Sequence, residues 1–246
     1  MKGIDFYKYN KIFGLIAGLF AFIVFTLTVE PTASYWDCAE YISTSAKLQI
    51  GHPPGAPLFQ MLGAIFSILA FDVSQIAYAV NMMSVFSSAM TIMFLFWSIS
   101  LIGKQLLKTS KFLNFNDAFK IFGASFLGSI SFTFTDSFWF NAVEAEVYAM
   151  ATLILSTLFW LGLKWIEDFE NERSEKWLVL ISFVVGLSFG VHFMGLLAIP
   201  SIGLIYYFKT ANNFKIKNFI FANIISVFIL LFIFKLLLPS TLSLFG

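Results

Sequence analysis

Long apolar stretches constrain the fold of this chain more than any other feature of its sequence. Each has about 20 mostly apolar residues, the length that an α-helix needs to cross the hydrocarbon core of a bilayer. Because lipid offers no hydrogen-bond partners to the backbone, such stretches are expected to be helices. The clearest stretches are Ile12–Val29, Ile76–Ile102, Phe119–Thr135, Val147–Ile166 and Phe219–Leu238.

The composition agrees with an all-α polytopic membrane protein. Hydrophobic residues make up 59% of the 246 residues, charged residues make up 12%, and the mean hydropathy is +0.85. Soluble domains have about 25% charged residues. The formal net charge of +1 gives no indication of a nucleic-acid partner, and we expect none. The chain has one cysteine, Cys38, so it has no internal disulfide.

The N-terminal stretch and two other segments need interpretation. Ile12–Val29 is longer than the apolar core of a usual signal peptide, so we interpret it as an uncleaved anchor rather than a leader. Leu178–Phe208 is overlong for one helix, and Gly186 and Gly190 near its middle predict two short helices that meet at a turn. Leu58–Phe71 is short for a span and typical of an interfacial or re-entrant helix.

The distribution of basic residues decides the topology. If Leu58–Phe71 does not cross the membrane, 13 of the 15 Lys and Arg residues lie on the side of the N-terminus, which fits the positive-inside rule. Lys47 then lies outside, and Lys235 lies within the last span. We therefore predict about seven spans, an inner N-terminus, and Leu58–Phe71 along the outer face. The inner set is Lys2, Lys8, Lys11, Lys104, Lys108, Lys111, Lys120, Lys164, Arg173, Lys176, Lys209, Lys215 and Lys217.

This topology places many acidic residues on the outer side. They come from a first outer loop, residues 30–75, and a second outer loop, residues 136–146, which must lie over the same small bundle. Ionisable groups at membrane depth usually face a cavity, so we predict an acidic outer pocket. The outer acids are Glu30, Asp37, Glu40, Asp72, Asp136, Glu144 and Glu146.

The first outer loop contains a candidate catalytic pair. Trp36–Ala46 has few helix breakers and is predicted to form a short helix, in which Asp37 and Glu40 at positions i and i+3 share one face. Such a pair can provide a base whose pKa is raised by its neighbour, or it can hold a divalent cation. The alternative is a solvated helix face, with Tyr35 and Tyr41 as aromatic anchors at the membrane interface.

A rigid turn follows this predicted helix. Pro53 and Pro54 fix the backbone after His52, and the flanking Gly51 and Gly55 allow another backbone or a ligand to approach closely. Such a turn can shape a substrate cleft. It can equally serve as an ordinary connection between two elements, so its function stays open at this point.

The second outer loop and a later break supply the other candidates. Trp139, Glu144, Glu146 and Tyr148 are interleaved with apolar residues, a pattern that favours groups facing a cavity rather than bulk water. His192 lies between the two predicted half-helices. It can contact an anionic head group, since a helix N-terminus follows it, or it can have a purely structural role.

Three motifs resemble a bacterial membrane family long catalogued as a domain of unknown function. They are Trp36–Tyr41 (WDCAEY), Gly51–Phe59 (GHPPGAPLF) and Phe138–Tyr148 (FWFNAVEAEVY). That family is common in Bacteroidetes and is related to an animal transmembrane protein O-mannosyltransferase of the GT-C glycosyltransferase superfamily. The resemblance covers nearly the whole chain. It implies a single GT-C-like domain over residues 1–246, with juxtamembrane helices in the first outer loop.

The resemblance also implies an activity and roles for the candidate residues. The expected reaction moves a sugar, mannose, from a polyprenyl-phosphate donor to a Ser or Thr hydroxyl of an acceptor protein. Asp37 is the candidate base and Glu40 its partner, although their separation by three residues, where protein mannosyltransferases have adjacent acids, leaves the choice of base open. The candidate substrate-binding residues are His52, Pro53, Pro54, Trp139, Glu144, Glu146, Tyr148 and His192, the last of these on the donor phosphate.

Several expectations accompany this interpretation. We expect no obligatory metal, although Mg²⁺ or Mn²⁺ at Asp37 and Glu40 is the alternative. The expected location is the bacterial inner membrane, with membrane lipid around the bundle and the active site on the periplasmic face. Many members of the resembling family are longer, so a C-terminal part is expected to be missing. The rival functions are a transporter or lipid-binding scaffold, or a glycosyltransferase with a lipid or glycan acceptor.

Overall fold

The computed structural model describes residues 3–53, 55–211, 213–237 and 239–240, and this part of the chain is largely helical. The prediction of an all-α polytopic membrane protein is confirmed. In chain order the elements are β1 Ile4–Asp5, α1 Phe6–Thr28, α2 Cys38–Lys47, α3 Pro57–Ser67, a 3₁₀ turn Val73–Gln75, α4 Ile76–Leu106, β2 Phe112–Leu113, α5 Phe115–Thr133, α6 Asp136–Ala142, α7 Val147–Glu167, α8 Glu175–Ser188, a 3₁₀ helix Phe193–Leu197, α9 Ala198–Thr210, α10 Ile216–Phe232 and a π-helical turn Ile233–Leu237.

Within the described chain, five helical segments are long and apolar enough to cross a membrane. A sixth is present if α5 and α6, which are bent by 69° at a short break, count as one span. The predicted count of about seven exceeds these numbers because α8 has 14 residues. A helix of that length extends about 21 Å, less than the hydrocarbon thickness of about 30 Å. The five segments are Phe6–Thr28, Val73–Leu106, Val147–Glu167, Phe193–Thr210 and Ile216–Leu237.

The predicted break within Leu178–Phe208 is confirmed, and it makes a specific contact. Helix α8 ends at Ser188, and the Gly190 carbonyl accepts hydrogen bonds from the N–H groups of Leu58 and Phe59, at 2.7 and 3.2 Å. A Cβ atom at position 190 would lie 2.7 Å from the Leu58 Cβ atom. A glycine is therefore required where the first turn of α3 docks onto the break.

Two short helices of the first outer loop lie together on the bundle. The predicted helix Trp36–Ala46 corresponds to α2, and the apolar segment Leu58–Phe71 corresponds mainly to α3, which has 11 residues and is too short to span a bilayer. The buried Phe59 ring of α3 meets the Tyr41 ring of α2 at 5.1 Å. The position of α3 on the outer membrane face stays a prediction.

Helix α4 lies at the centre of the bundle, where it packs against α1, α5 and α7. Small and hydroxyl side chains let neighbouring helices approach closely in membrane proteins. Two buried hydroxyls of α4 donate to the backbone of their own helix: Ser87 to the Met83 carbonyl at 2.8 Å and Thr91 to the Ser87 carbonyl at 3.0 Å. The apolar remainder of α4 forms the core.

One end of the bundle carries a cluster of paired charges, which we call the basic cluster: Tyr7, Lys104, Lys164 and Glu167. The Glu167 carboxylate accepts from the Lys104 ammonium at 2.8 Å, from the Lys164 ammonium at 2.6 Å and from the Tyr7 hydroxyl at 2.9 Å. Two of these bonds join the end of α7 to α1 and α4, and the bond from Lys164 lies within α7. The cluster therefore fastens these helices together at the end opposite the two outer loops.

Candidate functional site

A buried amide on α4 joins the two outer loops. The Asn81 side chain donates to the carbonyls of Glu30 and Thr32, at 2.7 and 2.8 Å, and accepts from the Ala145 N–H at 2.8 Å. The Glu30 N–H also donates to the Val143 carbonyl at 2.9 Å. Both acidic loops are therefore held over the same end of the bundle. Sequence reasoning missed Asn81, although an amide within a long apolar helix is a signal that could have identified it.

Asp37 and Glu40 lie on the same side of α2, and His52 lies between them. The His52 Nδ1 atom donates to one Glu40 carboxylate oxygen at 3.0 Å, and the His52 backbone N–H donates to the other at 2.6 Å. The His52 Nε2 atom is 3.8 Å from the Asp37 carboxylate. Asp37 occupies the N-cap position of α2 but makes no side-chain capping hydrogen bond. Its carboxylate is therefore not used to stabilise the helix.

The contact between Glu40 and His52 shifts the titration of both side chains. Hydrogen bonds from the backbone and the ring of His52 hold the pKa of Glu40 below its ordinary value. The hydrogen bond to Glu40, together with its negative charge, raises the pKa of His52 above its ordinary value. Both shifts favour the charged pair, so Glu40 is engaged with His52 and less available than Asp37 to act as a base.

The proline turn after His52 folds as a tight reversal. The Gly55 N–H donates to the His52 carbonyl at 2.8 Å, and Gly55 has a φ of 77°, a conformation that favours glycine. The turn directs Gly55 and the His52 ring towards a cavity, whereas Pro53 does not line it. Pro54, the other proline predicted to shape the cleft, lies outside the described residues.

Glu146 is the most unusual acid of the second outer loop. It precedes α7 and is 5% exposed, and its Oε1 atom has no hydrogen-bond partner among the described residues. Burial, together with the negative charges of Asp37 and Glu144, raises the pKa of Glu146 to about 7. A carboxyl group that is half un-ionised at neutral pH can donate as well as accept a hydrogen bond.

Two other residues of this loop have structural partners. The Glu144 carboxylate accepts a hydrogen bond from the Ser34 hydroxyl and is buried, and burial raises its pKa. The Trp139 ring packs between Phe25 of α1 and Phe134, with ring centres 5.9 and 5.4 Å away. Neither Glu144 nor Trp139 lines the cavity that contains Glu146. The structure thus separates them from the other predicted substrate-binding residues.

His192 and Tyr148 meet on the far side of the same cavity. Their ring centres are 5.3 Å apart. The His192 Nδ1 atom accepts from the Met194 N–H at 3.1 Å and so caps the 3₁₀ helix Phe193–Leu197. Burial lowers the pKa of His192. A neutral ring that accepts at Nδ1 carries its proton on Nε2, which leaves a donor for a ligand.

These residues surround one cavity of about 350 Å³, which we call the acidic pocket. Burial, together with the charges of Glu146, Asp37 and Glu40, raises the pKa of Tyr41 to about 12, so its hydroxyl stays protonated. The pocket offers carboxylates that can accept protons and neutral donors that can bind an anion. Its lining residues are Asp37, Tyr41, His52, Gly55, Glu146, Val147, Tyr148, Phe189, Val191, His192 and Phe193.

The same residues have a donor set that suits a divalent cation. Asp37, Glu40 and His52 each offer one ligand atom, and these three atoms lie within 4.8 Å of one another. Oxygen ligands suit Mg²⁺ and Mn²⁺, and the imidazole nitrogen adds affinity for softer ions. However, His52 already donates to Glu40, so a cation there would have to replace that hydrogen bond. We keep the expectation that no metal is obligatory.

The bundle and its pocket define a class: a polytopic helical membrane protein whose outer loops enclose a small acidic cavity at the bundle end. The particular family follows from its sequence. The chain belongs to the family described as the protein O-mannosyl-transferase TMEM260 N-terminal domain, which matches residues 37–215. This range contains all three motifs apart from Trp36, and it includes every residue that lines the acidic pocket.

Two curated relatives carry the same name. The protein O-mannosyl-transferase tmem260 of Dictyostelium discoideum is 28% identical over 229 residues, which are 86% of this chain and 26% of the relative. The protein O-mannosyl-transferase TMEM260 of Mus musculus is 26% identical over 168 residues, which are 67% of this chain and 21% of the relative. The chain thus spans about a quarter of the length of these relatives. It has no significant match among solved structures.

Proposed function

We propose that this chain forms the catalytic membrane domain of a glycosyltransferase that acts on proteins. In this proposal it moves mannose from a polyprenyl-phosphate donor to a Ser or Thr hydroxyl. The observation that carries the proposal is the acidic pocket, where Asp37 and Glu146 from two separate loops share one cavity in a chain of this family. The two curated relatives are named as protein O-mannosyl-transferases.

Asp37 is the proposed general base. Its side chain is 53% exposed, so an acceptor hydroxyl can reach it, whereas Glu40 is already bonded to His52. As the acceptor oxygen bonds to the anomeric carbon of the sugar, its proton passes to Asp37 and the bond from that carbon to the phosphate oxygen breaks. His52 and Glu40 position Asp37, and the neutral His192 ring faces the phosphate.

A second cavity supports a lipid-linked donor. It has a volume of about 430 Å³ and is lined mainly by apolar side chains of α4, α7 and α9. This second cavity, which we call the apolar groove, begins one helical turn beyond the acidic pocket on two walls. On α7, Tyr148 lines the pocket and Thr152 lines the groove. On the opposite wall, Phe193 lines the pocket and Leu197 lines the groove. The groove reaches Phe159, about 16 Å from Tyr148 along the helix. A polyprenyl tail can therefore leave the pocket towards the hydrocarbon core.

The proposed location is the bacterial inner membrane, with the acidic pocket on the periplasmic side. The distribution of charge supports this orientation, because the loops at the basic end carry most of the Lys and Arg residues. Acceptor proteins and the lipid-linked donor would then both reach the pocket from the same face of the membrane.

A direct transfer assay tests the proposal. The purified chain in lipid nanodiscs is incubated with polyprenyl-phosphate sugars that carry a radiolabel and with a periplasmic protein extract; the Asp37→Asn variant provides the matched blank. We expect the mannose donor to transfer its label to protein. β-Elimination should then release the labelled sugar, because it cleaves sugars linked to Ser and Thr. Label found only in lipid or glycan would overturn the protein acceptor, and no transfer from any donor would overturn the activity.

A further inference from the structure

Glu146 is a buried acid that the reaction described above does not use. Only 5% of its surface is exposed, and its Oε1 atom has no hydrogen-bond partner among the described residues. An ionised oxygen in such a place loses its hydration without a hydrogen bond to replace it, which is unfavourable. The group therefore requires either a proton or a ligand that donates to it.

The surroundings of Glu146 favour the proton. The described residues that line the acidic pocket include no lysine or arginine, and the ring of His52 is already bonded to Glu40. Burial has the largest effect, and the negative charges of Asp37 and Glu144 add to it, so that the pKa of Glu146 is raised to about 7. The titratable groups that face it are Asp37 and Tyr41 of α2, His52, Glu144, Tyr148 of α7 and His192.

We propose that Glu146 serves as an un-ionised carboxylic acid that donates a hydrogen bond to the phosphate of the sugar donor, opposite the Asp37 carboxylate. This inference rests on the proposed transferase function. Two carboxyl groups in one cavity then have different roles because one is half exposed and the other is buried, a division of roles that adjacent acids in enzymes commonly show.

The hydrogen bond strengthens as the reaction proceeds. The acceptor proton moves to Asp37, the acceptor oxygen forms its bond to the anomeric carbon, and the electrons of the broken bond go to the phosphate oxygen. The leaving phosphate gains one negative charge, and the Glu146 O–H group, placed in advance, stabilises that charge without giving up its proton. An ionised Glu146 would instead repel the phosphate, so transfer should decline as the pH rises above about 7.

Glutamine is the informative substitution because it stays neutral and keeps an N–H donor. In the transfer assay we expect Glu146→Gln to retain at least about a third of the parent rate, and to lose the decline above about pH 7. Glu146→Ala, which lacks the donor, should lose about 10²-fold. Asp136→Asn, an exposed acid in the same loop, should change neither rate nor pH profile. A Glu146→Gln variant as inactive as Glu146→Ala would overturn the inference.

A measurement independent of activity decides the protonation state. Infrared difference spectra of the parent against Glu146→Gln, at pH 6, should show one carboxylic-acid carbonyl band that the variant lacks. Polyprenyl phosphate should shift this band, and uncharged polyprenol should not. A missing band, or a band that polyprenyl phosphate leaves unmoved, would contradict the inference. A parent chain that shows this band response yet transfers no sugar would count against the proposed function alone.

Discussion

The two ends of the bundle carry buried acids in opposite circumstances. In the basic cluster, Glu167 is bonded to Lys104, Lys164 and Tyr7, so its carboxylate oxygens both have partners. In the acidic pocket, Glu146 is buried more completely than Glu167, yet its Oε1 atom has no hydrogen-bond partner among the described residues. One end contains charges that satisfy one another. The other end contains a charge that only a proton or a ligand can satisfy.

This difference separates a structural role from the proposed catalytic one. A satisfied cluster stabilises the folded bundle and has little capacity left for a ligand. An unsatisfied acid beside a cavity lowers stability, and it is retained where it contributes to binding or chemistry. Substitutions at the acidic pocket should therefore change transfer more than stability, and substitutions in the basic cluster should do the reverse.

The largest expected effect is on transfer, from Asp37→Asn. Loss of a general base typically lowers a rate by 10²–10⁴-fold, whereas exchanging a half-exposed carboxylate for an amide should hardly change stability. The transfer rate and the amount of folded protein in the membrane are measured together. If the variant kept more than about a third of the parent rate, Asp37 would not be the base and Glu40 would be the next candidate.

The next effect is on stability, from Glu167→Gln. The change leaves the charges of Lys104 and Lys164 without a carboxylate, with side chains only 14% and 19% exposed. We expect the free energy of unfolding to fall by about 1–3 kcal/mol, with the transfer rate per folded molecule unchanged. Thermal unfolding in detergent measures the loss, and Glu172→Gln in the exposed connection after α7 is the matched control. A selective loss of transfer at constant stability would erase the distinction between the two ends.

A smaller effect concerns the two histidines of the acidic pocket. The pKa of His52 is raised above the ordinary value of 6.5 by Glu40, and the pKa of His192 is lowered below 6.5 by burial. The charged His52–Glu40 pair is therefore lost as the pH rises through the raised value. NMR of histidine-labelled protein should show two rings that titrate on either side of 6.5, and Glu40→Gln should lower only the His52 value. Two rings that titrate together would show that Glu40 and His52 are not paired.

The smallest expected effect is that of metal removal. Ligand atoms of Asp37, Glu40 and His52 lie within 4.8 Å of one another at the edge of the pocket, but a donor with a single phosphate needs little additional positive charge. We expect the transfer rate to survive exhaustive EDTA treatment. Activity that disappeared and returned only with Mn²⁺ or Mg²⁺ would establish a cation among these three side chains, and it would assign them to metal binding instead.

Local sequence signals were sufficient for much of the fold. Spans were predictable from the length of apolar stretches, because the bilayer fixes that length independently of tertiary contacts. The helix at Trp36–Ala46 and the break near Gly190 were predictable because breakers act on the backbone nearby. About seven spans were predicted, and five or six segments of the described chain are long and apolar enough to cross a membrane, because the turn leaves α8 with 14 residues.

The candidate site depended on contacts that no local pattern records. The Asn81 side chain bonds to Glu30, Thr32 and Ala145, which lie far from it in sequence. The Trp139 ring likewise packs on Phe25, which is distant in sequence. The sequence brought Glu144 and Glu146 forward as equals. Only the fold shows that Ser34 satisfies Glu144, whereas Glu146 lines the acidic pocket.

Photocrosslinking tests most directly the claim that the acidic pocket, not the basic cluster, binds the lipid phosphate. Charge alone would favour the basic end, where most Lys and Arg residues lie. A polyprenyl phosphate analogue with a diazirine in its first isoprene unit is irradiated with the chain in nanodiscs, and the adducts are located by mass spectrometry, with the matching polyprenol as control. We expect phosphate-dependent adducts on peptides that contain Tyr148 and His192. Adducts confined to peptides that contain Lys104 and Lys164 would contradict the claim.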